Sequence, residues 1–212
     1  MKLLITSLVA LLAFNTHLIA QGQVEYSAGL GQRAIHDSGG APVANGNQVW
    51  LGTFSAGFDE LDVQANADNP STLLANWHPF GDGGTTVRTM FGQPGRFGDT
   101  DSSTDPFFAG QKIYLWIFST DAAAAPASDF NNVNEYGLFS ATLATWNFSD
   151  QPPPNDLRQI NSSEVNQAFF GTIGANLFLA TATPVPEPTT LGLLSLAIPV
   201  VVLAVRKRRS SQ

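Results

Sequence analysis

Residues 111–119 read QKIYLWIFS. Ile113, Leu115 and Ile117 alternate with Tyr114, Trp116 and Phe118. Successive side chains of a strand point to opposite faces, so both faces of this stretch are apolar. A strand with one face in water would carry polar residues at every second position. The stretch therefore predicts a central strand, buried on each side.

The flanking sequence supplies partners for it. Gln48–Phe54 (QVWLGTF) and Glu135–Ala141 (EYGLFSA) combine aromatic and aliphatic residues in short runs, the composition of a strand. Gln23–Leu30 reads as a first strand, Thr85–Phe91 as another, and Phe169–Ile173 and Leu177–Ala182 as closing strands. Trp146–Phe148 extends one strand or begins the next. Breakers separate them: Gly39-Gly40, Pro42 and Asn45-Gly46 in a loop over 36–47, then Phe80–Gly84. Gly92–Asp105 reads as a loop of glycine, proline and acids. Residues 121–127 (DAAAAPA) and 149–155, with three consecutive prolines, read as exposed loops. Between Asp59 and Trp77 the period changes. Asn69 is placed to cap, Pro70 suits a first helical position, and Leu73, Leu74 and Trp77 recur at helical spacing, which predicts one or two short helices. Asn161-Ser-Ser-Glu164 has capping-box spacing for one helical turn. Many short strands at irregular spacing predict a mainly β fold, an antiparallel sandwich or jelly-roll-like domain over 21–183.

Both chain ends differ from this domain. Met1-Lys2 is a minimal positive start, and the apolar run that follows ends near Ala20. That is the pattern of a secretory signal peptide, residues 1–20, exported by the Sec route. At the other end, Leu191–Val205 carries no charge, and residues 189–205 are the length of a short transmembrane helix. Arg206, Lys207, Arg208 and Arg209 follow at once and favour a cytoplasmic end. Between Gln21 and Val185 there are 16 acidic and five basic residues, a net charge of −11. An acidic surface excludes a nucleic-acid partner, which needs a basic patch. The chain has no cysteine, so disulfides and thiolate chemistry are excluded.

Val185-Pro186-Glu187-Pro188, then a short apolar helix, then an Arg-rich end: this order over 184–212 resembles the PEP-CTERM sorting signal. The resemblance implies recognition by an exosortase, a membrane-embedded cysteine transpeptidase of Gram-negative bacteria. It also implies cleavage near Pro186–Pro188, a transient stay in the inner membrane, and final association with the cell surface or with exopolysaccharide and biofilm matrix. In this reading Val185, Pro186, Glu187, Pro188 and the Arg206–Arg209 cluster form a substrate signal and not an active site.

Within the domain, sites of chemistry are sparse. Asp99, Asp101 and Asp105 place carboxylates at spacings of two and four in the loop read over Gly92–Asp105, hard oxygen ligands suited to Ca²⁺. The alternative is a solvated acidic loop, since the glycine and glutamate of an EF-hand loop are missing. Trp77, beside His78, is the tryptophan placed to stack on a sugar; the alternative is a core position. His36, Ser38 and a distant acid allow a nucleophilic triad on paper, but there is no Gly-x-Ser-x-Gly elbow. Three functions follow in order: a non-catalytic surface or matrix protein, a carbohydrate-binding module, and an extracellular glycan-degrading hydrolase.

Overall fold

The computed structural model describes residues 22–120, 133–150 and 157–182, all within one unit that ends at Ala182. The expected signal peptide, the apolar segment 189–205, the sorting motif and the loops over 121–127 and 152–154 lie outside the described residues. Among the described residues no helix is long and apolar enough to cross a membrane.

The 111–119 stretch forms β9 (Tyr114–Thr120) at the middle of a seven-stranded antiparallel sheet. Its neighbours are β3 (Gln48–Phe54) and β10 (Val133–Ser140). Outside β3 lie β4 (Trp77–Pro79) and β5 (Thr85–Thr86); outside β10 lie β12 (Gln167–Phe170) and β15 (Ala180–Thr181). Leu115, Trp116, Ile117 and Phe118 are all fully buried, so both faces of β9 are covered as the alternation requires.

The two faces meet different partners. Leu115 and Ile117, with Val49, Leu51 and Phe139, pack against Val24, Tyr26 and Ile160 of a second sheet. That sheet has three strands in the order β11 (Leu157–Asn161), β1 (Gly22–Ser27), β8 (Gly98–Ser103), and the pair of sheets makes a sandwich-like core. The opposite face carries Trp116, Phe118, Tyr136 and Leu138, and it packs against Val63 and Leu73 of two short helices. These are α1 (Glu60–Ala65), with the Asp59/Asp62 capping box, and α2 (Pro70–Asn76), capped by the Asn69 side chain. Lys112 holds α1 to the sheet by a 2.6 Å ion pair with Glu60, while Gln167 donates to the other carboxylate oxygen at 3.0 Å.

This aromatic layer explains one glycine. A Cβ at Gly52 of β3 would lie 2.6 Å from the Trp77 ring. The indole of Trp77 therefore rests directly on backbone, and only hydrogen leaves it room.

Four features depart from the sequence reading. First, the sandwich is not wholly antiparallel: β1 pairs β11 in parallel, and β2 (Ile35–His36) pairs β14 (Leu177–Phe178) in parallel. Second, Gly92–Asp105 is no loop. It forms β7 (Gln93–Arg96) and β8, because β1 offers a free edge to which the polar stretch Gly98–Ser103 hydrogen-bonds. Third, the 85–91 strand divides at buried Val87, pairing first with β3 and then, as β6 (Arg88–Met90), with β7. Fourth, Asn161–Glu164 makes a turn, with Asn161 accepting from Ser163 N at 3.0 Å and Glu164 from Asn161 N at 3.3 Å. Only the return half of the capping-box exchange is present, since Glu164 N donates to Asn161 O at 3.0 Å and not to its side chain; the helix is absent. Trp146 ends a 3₁₀ turn, but Asn147 bridges Lys112 in antiparallel sense and Phe148 N donates to Gln111 O at 2.8 Å, so residues 146–148 pair with the chain just ahead of β9. The closing strands occur where expected, each broken in two, with β13 (Thr172–Ile173) pairing β14.

Candidate functional site

The three-stranded sheet buries one face only. Val24, Tyr26 and Ile160 point into the sandwich, so their neighbours in sequence point away from it. In register across the outer face stand Glu25 between Gln159 and Thr100, and Ser27 between Asn161 and Gly98. At the end of this face lies a cleft of about 210 Å³, lined by Glu25, Ser27, Gln32, Gln159, Ile160 and Asn161.

Two things position Gln32 there. The chain leaves β1 in a tight turn, Gln32 N donating to Gly29 O at 3.2 Å. Arg96, largely buried, donates from one guanidinium nitrogen to Gly29 O (2.9 Å) and Gln32 O (2.6 Å), clamping the turn from behind. Ser162 Oγ donates to Arg33 O at 2.6 Å and Arg33 donates to Val165 O at 2.6 Å, tying the next residue to the far side. The wall of the cleft is thus set by backbone contacts.

The hydrogen bonds around the cleft also fix which way its amides point. Gln32 Oε1 accepts from Ser27 Oγ (3.1 Å) and Gly29 N (2.5 Å), so its NH₂ is the end left over. Asn161 Oδ1 accepts from Ser163 N, which likewise leaves its NH₂. Gln159 Nε2 donates to Glu25 Oε2 at 2.7 Å, which leaves one acceptor on the amide and one on the carboxylate. The lining therefore offers two whole NH₂ groups, from Gln32 and Asn161, and two carboxamide or carboxylate oxygens, from Gln159 and Glu25, beside the second N–H of Gln159 and the lone pairs of Ser27 Oγ. It includes no lysine, arginine, histidine or aromatic side chain.

The residues singled out from sequence are placed elsewhere. Trp77 is 8% exposed, with Phe54 at 5.2 Å and Trp116 at 5.3 Å between ring centroids. Its helical spacing from Leu73 reported a core position, and it presents no ring to a sugar. Asp99 and Asp101 sit on β8, in register with Tyr26 and Val24, while Asp105 caps the 3₁₀ turn Pro106–Phe108 by accepting from Phe107 N at 2.9 Å. Among the described residues no group of three or more histidines and carboxylates is arranged to hold a metal ion. Asp101 accepts from Tyr26 Oη at 2.9 Å. Burial pushes its carboxyl above the usual range, and the charges of Asp99 and Asp82 add to this while the Tyr26 bond opposes it. Burial first, then Asp101, raises the Tyr26 hydroxyl far above its ordinary value.

His36 and Ser38 do not meet. His36 Nδ1 contacts Gly40 O at 2.8 Å, and Ser38 bonds to Glu135 through both its amide and its hydroxyl. A different pair does form: Ser55 Oγ lies 3.0 Å from His78 Nε2, with the His78 ring 4.3 Å from that of Phe107. The Ser55 hydroxyl also reaches Asn76 O at 3.3 Å, where it closes the end of α2. The cleft itself went unseen in the sequence. Its one signal was the alternation in 23–27 (QVEYS), polar at every second position; 157–161 (LRQIN), where Leu157 shares a face with Gln159 and Asn161, does not alternate and was not read as a strand.

Residues 184–209 match the PEP-CTERM protein-sorting motif. The match covers none of the described residues; it marks the chain as an exported protein sorted by an exosortase. No curated protein and no solved structure matches the chain.

Proposed function

We propose that this chain is a non-catalytic surface or matrix protein of a Gram-negative bacterium: a β domain exported by the Sec route, held briefly in the inner membrane, and cut by an exosortase near Pro186-Glu187-Pro188. Released there, it remains at the cell surface or in the exopolysaccharide matrix. The observation that carries this reading is the sorting motif at 184–209. Proline and the residue before it disfavour a helix, so a sequence with prolines at 186 and 188 suits a cleavage enzyme. A protease or transpeptidase binds such a segment as an exposed strand.

The non-catalytic part of the reading draws on the side chains just described. Ser38 and His36 are engaged apart, and the Ser55–His78 contact has no carboxylate on the second ring nitrogen among the described residues. A hydrolase of the serine type needs that third group to orient the base. The cleft on the outer sheet face contains one carboxylate, Glu25, where glycoside hydrolysis uses two.

Glu187→Ala tests the sorting step. In a host with a matching exosortase, the variant should accumulate uncut in the inner-membrane fraction while the wild type reaches the cell exterior. Equal release of both would remove the motif from the mechanism.

A further inference from the structure

We infer that the cleft at the end of β1 and β11 binds one residue of a neutral, hydroxyl-rich glycan, with the rest of the glycan lying along the polar outer face of the three-stranded sheet. The inference goes beyond the sorting reading and does not rest on it.

The argument starts from what the cleft excludes. With no cation in the lining, a phosphate, sulfate or uronate would enter against Glu25 with nothing to balance its charge. With Ile160 as the only apolar lining residue, a hydrocarbon ligand would strip water from amides and gain little contact. A sugar hydroxyl is both donor and acceptor, and adjacent hydroxyls on a ring present the two roles side by side. The cleft offers the same mixture: NH₂ groups of Gln32 and Asn161, and oxygen acceptors of Glu25 and Gln159.

Size agrees. About 210 Å³ corresponds to roughly seven waters at about 30 Å³ each, the scale of a single sugar ring. Preorganisation agrees as well. The Gln32 amide is held by two hydrogen bonds, its turn is clamped by Arg96, and Glu25 and Gln159 hold each other. A polar ligand then displaces water without first having to order the side chains that receive it. The face beyond the cleft carries Gln23, Thr100 and Ser102 exposed and in register on β1 and β8, with the exposed Leu157 beside Gln23 on β11 as an apolar patch for the C–H face of a sugar.

The test uses the exported protein as recovered from the cell exterior. Neutral gluco-, manno-, galacto- and xylo-oligosaccharides are titrated by calorimetry, with oligogalacturonate and a sulfated oligosaccharide as acidic arms. At least one neutral oligosaccharide should bind. Gln32→Glu keeps the acceptor that Ser27 and Gly29 use but replaces the free NH₂ with a second anionic oxygen, so it should weaken that binding at least ten-fold. Gln159→Ala, at an exposed position, should weaken it as well and guards against misfolding of the first variant. Amide shifts in the wild type should cluster on residues 25, 27, 32, 159 and 161. No neutral binding at millimolar ligand, binding of the acidic arms alone, or an affinity unchanged in both variants would each overturn the inference. Processing at the sorting motif is unaffected by these variants, so a chain that is sorted and cut but binds no neutral glycan fails here and not in the sorting account.

Discussion

The central sheet and the three-stranded sheet are built from the same kind of element but meet opposite conditions. In the first, β9 is covered by a sheet on one face and by helices on the other, and every side chain from Leu115 to Phe118 is fully buried. In the second, β1 buries Val24 and Tyr26 and turns Gln23, Glu25 and Ser27 outward. The first region stores stability in apolar contact. The second keeps only half of that contact and turns a largely polar face, with Glu25 and Gln159 held to each other, outward.

The sharpest way to break this comparison is to change one residue of each region. Trp116→Ala removes an indole that touches Trp50, Phe54, Trp77 and Tyr136, and should cost about 3–5 kcal/mol in urea unfolding. Thr100→Val, on the outer face of β8, should stay within about 0.5 kcal/mol. Similar losses for the two would mean that the outer face is covered in the folded protein.

A smaller effect is expected at the tip of the β6–β7 hairpin. Phe91 has φ +52°, the left-handed region, and is 78% exposed, with Gly92 at φ +76° completing a two-residue turn. Asparagine and glycine enter that region readily, whereas bulky side chains do so at a cost. Phe91→Asn should raise stability by about 1 kcal/mol, read as a higher melting temperature. A lower one would show that the ring is packed against something in the native protein.

Asp101, at the edge of the three-stranded sheet, should give the smallest effect. Its carboxyl is raised above the unfolded value, so the ionised form is less favoured folded than unfolded. The penalty is complete above the folded pKa and absent below the unfolded one. Asp101→Asn keeps an acceptor for Tyr26 and removes the charge. It should stabilise by a few tenths of a kcal/mol at neutral pH, with the gain vanishing as pH falls through the carboxyl's range. A gain that grows in acid would contradict this assignment.

The same contrast decides what was legible in the sequence. Strands of the central sheet announce themselves because burial on both faces demands Ile, Leu, Trp and Phe in a row; Gln48–Phe54 was readable to the residue. So were the helix starts, since Asn69 and Pro70 act within one turn of chain. The edge strands β8 and β11 were not. Their sequences, GDTDSS and LRQIN, are those of loops, and they become strands because β1 lies between them with both edges free. The cleft is assembled from β1, the 29–32 turn that follows it, and β11, whose Gln159 lies 134 residues from Glu25, so the alternation within β1 alone could not display it. Trp77 and the acidic stretch misled for the complementary reason: single residue types were read without the packing and pairing that assign them to a core and to a strand. The sorting signal, by contrast, is a linear code read by another protein, and it was legible in full.

The sorting account is tested most directly by the intact mass of the wild-type protein recovered from outside a cell that has a matching exosortase. The account predicts a chain that begins near Gln21 and ends near Pro188. A chain ending at Gln212 in that fraction would contradict it and leave residues 184–212 as an anchor only.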